Sequence, residues 1–184
     1  MTSQAVIVDG TTYIVDCGSG VVGQIVASNI AYESIATVFL THLHTDHISD
    51  YFPLVAFGRK IGPQPGFSQN IEVFGPGRAG AFPSGSPQPG VQLVNPSNPT
   101  TGTLDLHNGL LDAYAYSVNG MYIASPTGPD IRDVVRVQDI TLPVNVVANA
   151  TDLVAPIMEP FAVYEDDKVK VTAILVDHPV VFPA

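Results

Sequence analysis

Residues 38–52 read VFLTHLHTDHISDYF. The stretch begins inside a continuous apolar run, Ile35 to Leu40, of strand length. Such a run fits a strand buried on both faces of a sheet. Directly after it come His42, His44, Asp46, His47 and Asp50, so three of the five histidines and two aspartates fall within nine residues. Imidazole and carboxylate are the nitrogen and oxygen ligands of Zn²⁺ and related ions. Alternate residues of an extended segment point the same way, which lets His42 and His44 grip one ion. Asp46 and His47 then project towards a second. Two ions roughly 3.5–4 Å apart can share one activated water and stabilise both the attacking and the leaving oxygen. Chance clustering on a surface is the competing reading, and it sits poorly with so few histidines placed just past a buried strand.

Upstream, QAVIVDGTTYIVDCG (4–18) predicts a hairpin around Asp9-Gly10, a dipeptide that tolerates positive φ. A short helix follows, with Ser19 as N-cap, Val21, Val22, Ile25 and Val26 on one face, and Asn29 at its end. Strand, helix and strand make a right-handed βαβ unit. The histidines then lie beyond the carboxyl end of its second strand, where α/β sheets bind ligands. Downstream, HISDYFPLVAFG (47–58) predicts a helix carrying Ile48, Phe52 and Val55 inward, irregular near Pro53. NIEVFGPG (70–77) is the next strand candidate. Residues 62–100 hold eight of sixteen prolines and read as a long loop or insertion. Helical spacing returns from Leu104 to Val118. Between Met121 and Met158 the pattern is ambiguous, with β-like pieces such as VVRVQDITL. FAVYEDDKVKVTAILVDH (161–178) predicts a hairpin turning at Glu165 to Asp167, its second strand running from Val169 to Val176 into Asp177-His178.

With 184 residues, 46 % apolar and 13 % charged, the chain has the composition of one globular domain. Its net charge of −10 and seven scattered basic residues disfavour extended nucleic-acid binding. A single cysteine, Cys17, allows no intrachain disulfide, so nothing calls for an oxidising compartment. No apolar run of eighteen residues and no signal-peptide pattern occur. A cytoplasmic protein without a membrane partner is the expectation.

The motif THLHTDH after a buried strand, with YIVDCGSG after a hairpin, resembles the metallo-β-lactamase fold superfamily. VDCGSG, THLHTDHISDY, IEVFGPG and the terminal VDHPVVFPA resemble its ribonuclease Z and arylsulfatase-like branch. The resemblance implies an α/β (α+β) fold of the αββα sandwich type, with residues 1–184 forming one partial domain. This would be largely the N-terminal half, with 62–100 inserted. It implies that His42, His44 and His178 hold a first metal and that Asp46 and His47 hold a second. Asp46 would also position the attacking hydroxide, which makes it the catalytic candidate. Asp16 either orients the ligand loop by hydrogen bonds or caps the helix that follows. The cofactor implied is one or two Zn²⁺ ions, with Mn²⁺ or Fe²⁺ as alternatives.

The implied activity is hydrolysis of phosphate or sulfate esters, with a small ester as the expected substrate. A tRNA 3′-end endonuclease of the ribonuclease Z type is the alternative. In that family a later strand carries a metal-bridging aspartate, and a further histidine follows it. Neither has a counterpart in these 184 residues. The third reading is therefore a truncated, catalytically incomplete metal-binding fragment whose exposed sheet face invites association or homo-oligomerisation. Asp50 and His107 are read as solvated helix residues and Cys17 as a small buried residue. Tyr114 is read as packing, and Tyr116 as a pocket candidate.

Overall fold

The structure, a computed structural model, describes residues 2–58, 66–80, 89–148 and 154–178. Parts of the expected 62–100 loop (62–65 and 81–88) and the terminal 179–184 lie outside the described residues.

β1 (Gln4–Val8) and β2 (Thr11–Val15) pair antiparallel across a two-residue turn. Asp9 (φ 45°) and Gly10 (φ 78°) both take positive φ, as a tight hairpin turn demands. The chain then forms α1 (Val21–Ala27) and returns as β3 (Ile35–Phe39), parallel to β2. β4 (Ile71–Pro76) and β5 (Val135–Ile140) extend the parallel side, giving the order β1-β2-β3-β4-β5. All five residues of β3 are buried. β4 lies within 62–100 and pairs with both β3 and β5, so that segment contains a central strand and is not wholly an insertion.

Alternating residues divide the two faces of the sheet. Ile14, Val38 and Val73 pack with α1 and with α3 (Tyr51–Gly58) on the helical face. Their neighbours Tyr13, Phe39 and Phe74 point to the other side. There they meet a separate hairpin, β6 (Phe161–Glu165) and β7 (Lys170–Ala173). Tyr164 sits 5.7 Å from both the Phe39 and Phe74 rings. The hydroxyls of Tyr13 and Tyr164 both donate to Asp166 Oδ2, at 2.6 and 2.9 Å. The sheet face expected to be bare is thus partly covered. A groove of about 1070 Å³ remains open between sheet and hairpin, lined by Val6, Val15, Leu40, Ile140, Phe161 and Leu175 among others.

Several local expectations change. Ser19 does not cap α1; the N-cap is Gly20, in the left-handed region at φ 88°. Asp50 Oδ2 accepts the Gly20 N–H at 2.9 Å, so Asp50 is a bonded residue and not a solvated one. Val26 is exposed, whereas Val21 and Ile25 are buried and Val22 packs partly buried against the core. The helix expected after the histidines splits into α2 (Thr45–Ile48) and α3. Pro53 lies in the first turn of α3, where the missing N–H costs nothing. The helix expected over 104–118 breaks at Tyr114 into α4 (Thr103–Ala113) and α5 (Ala115–Ala124), and Tyr114 stacks on Phe52 at 4.4 Å. Tyr116 is 96 % exposed and does not line the groove beside the hairpin. α6 (Ile131–Val134) leads directly into β5.

His107 departs furthest from expectation. It is 4 % exposed, and its Nδ1 lies 2.9 Å from the hydroxyl of fully buried Tyr51. Burial pushes the Tyr51 phenol up and His107 down, so a protonated phenol and a neutral imidazole share this hydrogen bond. Tyr51→Phe should lower unfolding stability by about 1–3 kcal/mol in urea titrations, because a buried polar group loses its hydrogen-bond partner. The depressed folded pKa also sets a sign. Below about 6.5 the unfolded chain binds the proton that folded His107 refuses. The contribution is whole above that pH and is lost as pH falls. The urea midpoint should therefore drop from pH 7 to 5, less steeply in His107→Gln.

Candidate metal centre

The parallel strands β2 and β3 end side by side, and the residues just past those ends build the site. Asp16 follows β2 in the left-handed region at φ 60°, a conformation aspartate tolerates better than most residues. The residue is 6 % exposed, and its carboxylate takes donors from the histidine loop. The Thr41 N–H donates to Oδ1 at 2.7 Å, and the Thr41 hydroxyl lies 3.0 and 2.8 Å from Oδ1 and Oδ2. His47 Nδ1–H donates to Oδ2 at 2.8 Å. Of the two readings of Asp16, the geometry favours orientation of the loop, since its carboxylate makes no cap bond to α1.

Backbone bonds hold the same loop from beneath. Cys17 N–H donates to the His47 carbonyl at 2.7 Å, and Asp50 N–H donates to the Cys17 carbonyl at 2.8 Å. Cys17 is fully buried as expected, and burial pushes its thiol up, which leaves it protonated and inert. Gly18 touches the loop closely. A Cβ there would collide with the carbonyl oxygens of Asp46 and Thr2.

His42, His44 and His178 converge from two remote segments. Each can offer one nitrogen such that all three lie within 4.8 Å of one another. Their ring centroids are 4.7 to 4.8 Å apart. β7 ends at Ala173, short of the expected Val176, and residues 174–178 leave the sheet and carry His178 to the loop. The His42 ring also lies 4.0 Å from that of His47. Burial first, then the neighbouring His47, His44 and His178, lowers His42 to about 4. A neutral imidazole is the form that donates a lone pair to a metal.

His178 Nδ1 is buried and has no hydrogen-bond partner. Buried polar atoms are nearly always satisfied, so an orphaned nitrogen on a ring packed against two other imidazoles fits a cation site. Three imidazoles are also a sufficient ligand set for zinc. Asp46 and His47 stand beside this trio. Asp46 Oδ2 lies 3.5 Å from His47 Nε2, and the Asp46 side chain is 73 % exposed. The sequence reading missed Thr41 and Gly18. The sequence shows Thr41 only as a hydroxyl immediately before the motif; its bond to Asp16, like the Gly18 contact, needs the folded backbone.

The fold matches that of human tRNase Z, short form, over 98 % of this chain and 54 % of that chain, with TM-score 0.53 and 18 % sequence identity. This chain has the metallo-β-lactamase fold. Sequence relatives agree with that placement. A ribonuclease Z of Prochlorococcus marinus is 39 % identical over 70 residues, covering 38 % of this chain and 21 % of the relative. A ribonuclease Z of Mycolicibacterium gilvum is 46 % identical over 41 residues, covering 22 % of this chain and 14 % of the relative. The chain thus spans about a fifth or less of the length of these relatives. The sequence profile of the family described as anti-Pycsar protein Apyc1 matches residues 2–52, the stretch that holds the hairpin, α1 and the histidine loop. Among the described residues, no helix of this metallo-β-lactamase fold chain is long and apolar enough to cross a membrane.

Close packing at Gly18 makes a paired test of this geometry. Gly18→Ala should displace the Asp46 backbone and weaken both stability and zinc binding. Gly23→Ala, at an open position of α1, should leave zinc binding unchanged and stabilise by up to about 1 kcal/mol. Calorimetric zinc titrations with melting curves on both variants read the difference.

Proposed function

We propose that this chain carries the metal centre of a hydrolase that cleaves phosphodiesters in RNA, of the ribonuclease Z kind. The observation that carries the reading is the convergence of His42, His44 and His178, with an orphaned buried nitrogen on His178. These three imidazoles would hold the first ion, and Asp46 with His47 would hold a second. Zinc bound there would supply Lewis acidity and a water whose pKa falls towards about 7.

The chain's own residues prepare the rest. Asp16 holds His47 by its Nδ1–H, which leaves Nε2 as the ligand atom. The exposed Asp46 carboxylate would accept a hydrogen from the attacking water and hold it in line with the ester phosphorus. The ribonuclease Z names of the relatives support a phosphodiester in RNA, and none of those relatives supports the sulfate ester or the small ester first expected. Exposure of the site on the strand-end surface suits a bulky substrate.

A second reading is favoured by the open apolar groove of about 1070 Å³ beside the hairpin. In that reading the chain binds metal but turns over no ester by itself.

Metal content and turnover on the zinc-loaded chain separate the two. The proposal expects about one zinc or more per chain, lost in His178→Ala. It also expects cleavage of bis-p-nitrophenyl phosphate and a 3′-extended tRNA, abolished by His42→Ala, and no release from p-nitrophenyl sulfate. Full zinc loading without phosphodiester cleavage selects the second reading. Failure to bind zinc removes both.

A further inference from the structure

We propose that Thr41 is a positioning residue of the metal centre: its hydroxyl relays the Asp16 carboxylate to His42 and fixes that ring as the Nδ1–H tautomer. The purpose of this relay rests on the metal-centre reading above; the hydrogen-bond logic does not.

The argument is one of proton direction. A carboxylate only accepts hydrogen bonds. Thr41 Oγ1 lies 2.8 and 3.0 Å from the two Asp16 oxygens, so its single proton is committed to Asp16. Its oxygen then has only lone pairs left for His42 Nδ1, which lies 3.1 Å away. That contact is attractive only when Nδ1 carries the hydrogen. Nε2 of His42 is therefore the bare nitrogen. His47 reaches the same result by a shorter route, since its Nδ1–H donates directly to Asp16 Oδ2 at 2.8 Å.

One buried carboxylate thus sets two imidazoles, one directly and one through a hydroxyl. Thr41 is held rigidly enough to do this, because its backbone N–H is bonded to Asp16 Oδ1 at 2.7 Å as well. Burial of Asp16 keeps water from competing for the carboxylate. Partners of this kind orient metal-binding histidines, and their loss typically weakens metal affinity about 10–100-fold.

Two readouts test the relay. Long-range ¹H–¹⁵N spectra of the metal-free protein at neutral pH report the His42 tautomer, and competition titrations report zinc affinity. Wild type and Thr41→Ser should both show His42 as Nδ1–H and bind zinc alike. Thr41→Val and the less bulky Thr41→Ala should shift His42 to Nε2–H and weaken zinc by about 10–100-fold. His47 should remain Nδ1–H in all four proteins, which controls for general damage to the fold. His42 staying Nδ1–H in Thr41→Val, or Thr41→Ser behaving like Thr41→Val, would overturn the relay. The expected tautomer change in Thr41→Val, together with a wild type that binds no zinc, would instead overturn the metal-centre reading, and with it the purpose given to Thr41.

Discussion

The Asp16 carboxylate is the constraint on which the site depends. A buried, unpaired carboxylate is costly, so the chain must bring donors to it. It brings three: the Thr41 amide, the Thr41 hydroxyl and the His47 ring. These donors lie at the two ends of the histidine loop. Satisfying one charge therefore dictates the path of the whole loop and the facing of its rings. The left-handed backbone at Asp16 serves the same end, because it turns the chain sharply where β2 stops and places Cys17 and Gly18 under the loop.

A second constraint delivers His178. The hairpin of β6 and β7 docks on the sheet through the Phe39, Phe74 and Tyr164 rings and through two phenols sharing Asp166. This docking is stabilised by apolar burial and needs no metal. Its outcome is that the exit from β7 passes the ends of β2 and β3, and His178 arrives beside His42 and His44. The core of the protein and the geometry of the site are thus coupled: hairpin packing brings the three imidazoles together.

Electrostatics frame the proposed substrate. The chain carries a net charge of −10, and its seven basic residues are scattered along the sequence. Arg78 is bound to Asp105, and Arg132 to Asp130. A divalent centre changes that locally, since a bound cation outweighs the surrounding charge at close range. Recognition of a phosphodiester would then be concentrated at the metal site and not spread over a surface.

The hairpin at Asp9-Gly10, the βαβ unit, the buried strand β3 and the clustering of histidines and an aspartate at 42–47 were legible in the sequence, because each rests on local chemistry. Turn φ angles, an uninterrupted apolar run and the spacing of ligand side chains need no distant partner to declare themselves. His178 was legible only through a family resemblance, since one histidine after a strand carries no signal of its own. The burial of His107 and the bonding of Asp50 and Thr41 were not legible. Each depends on a partner remote in sequence or on a loop path: Tyr51 for His107, Gly20 for Asp50, Asp16 for Thr41. The sequence by itself determined which side chains could ligate and which strand would bury. Only the tertiary structure decided which of them meet and which ring nitrogen stays free, because those follow from satisfying buried polar groups across the fold.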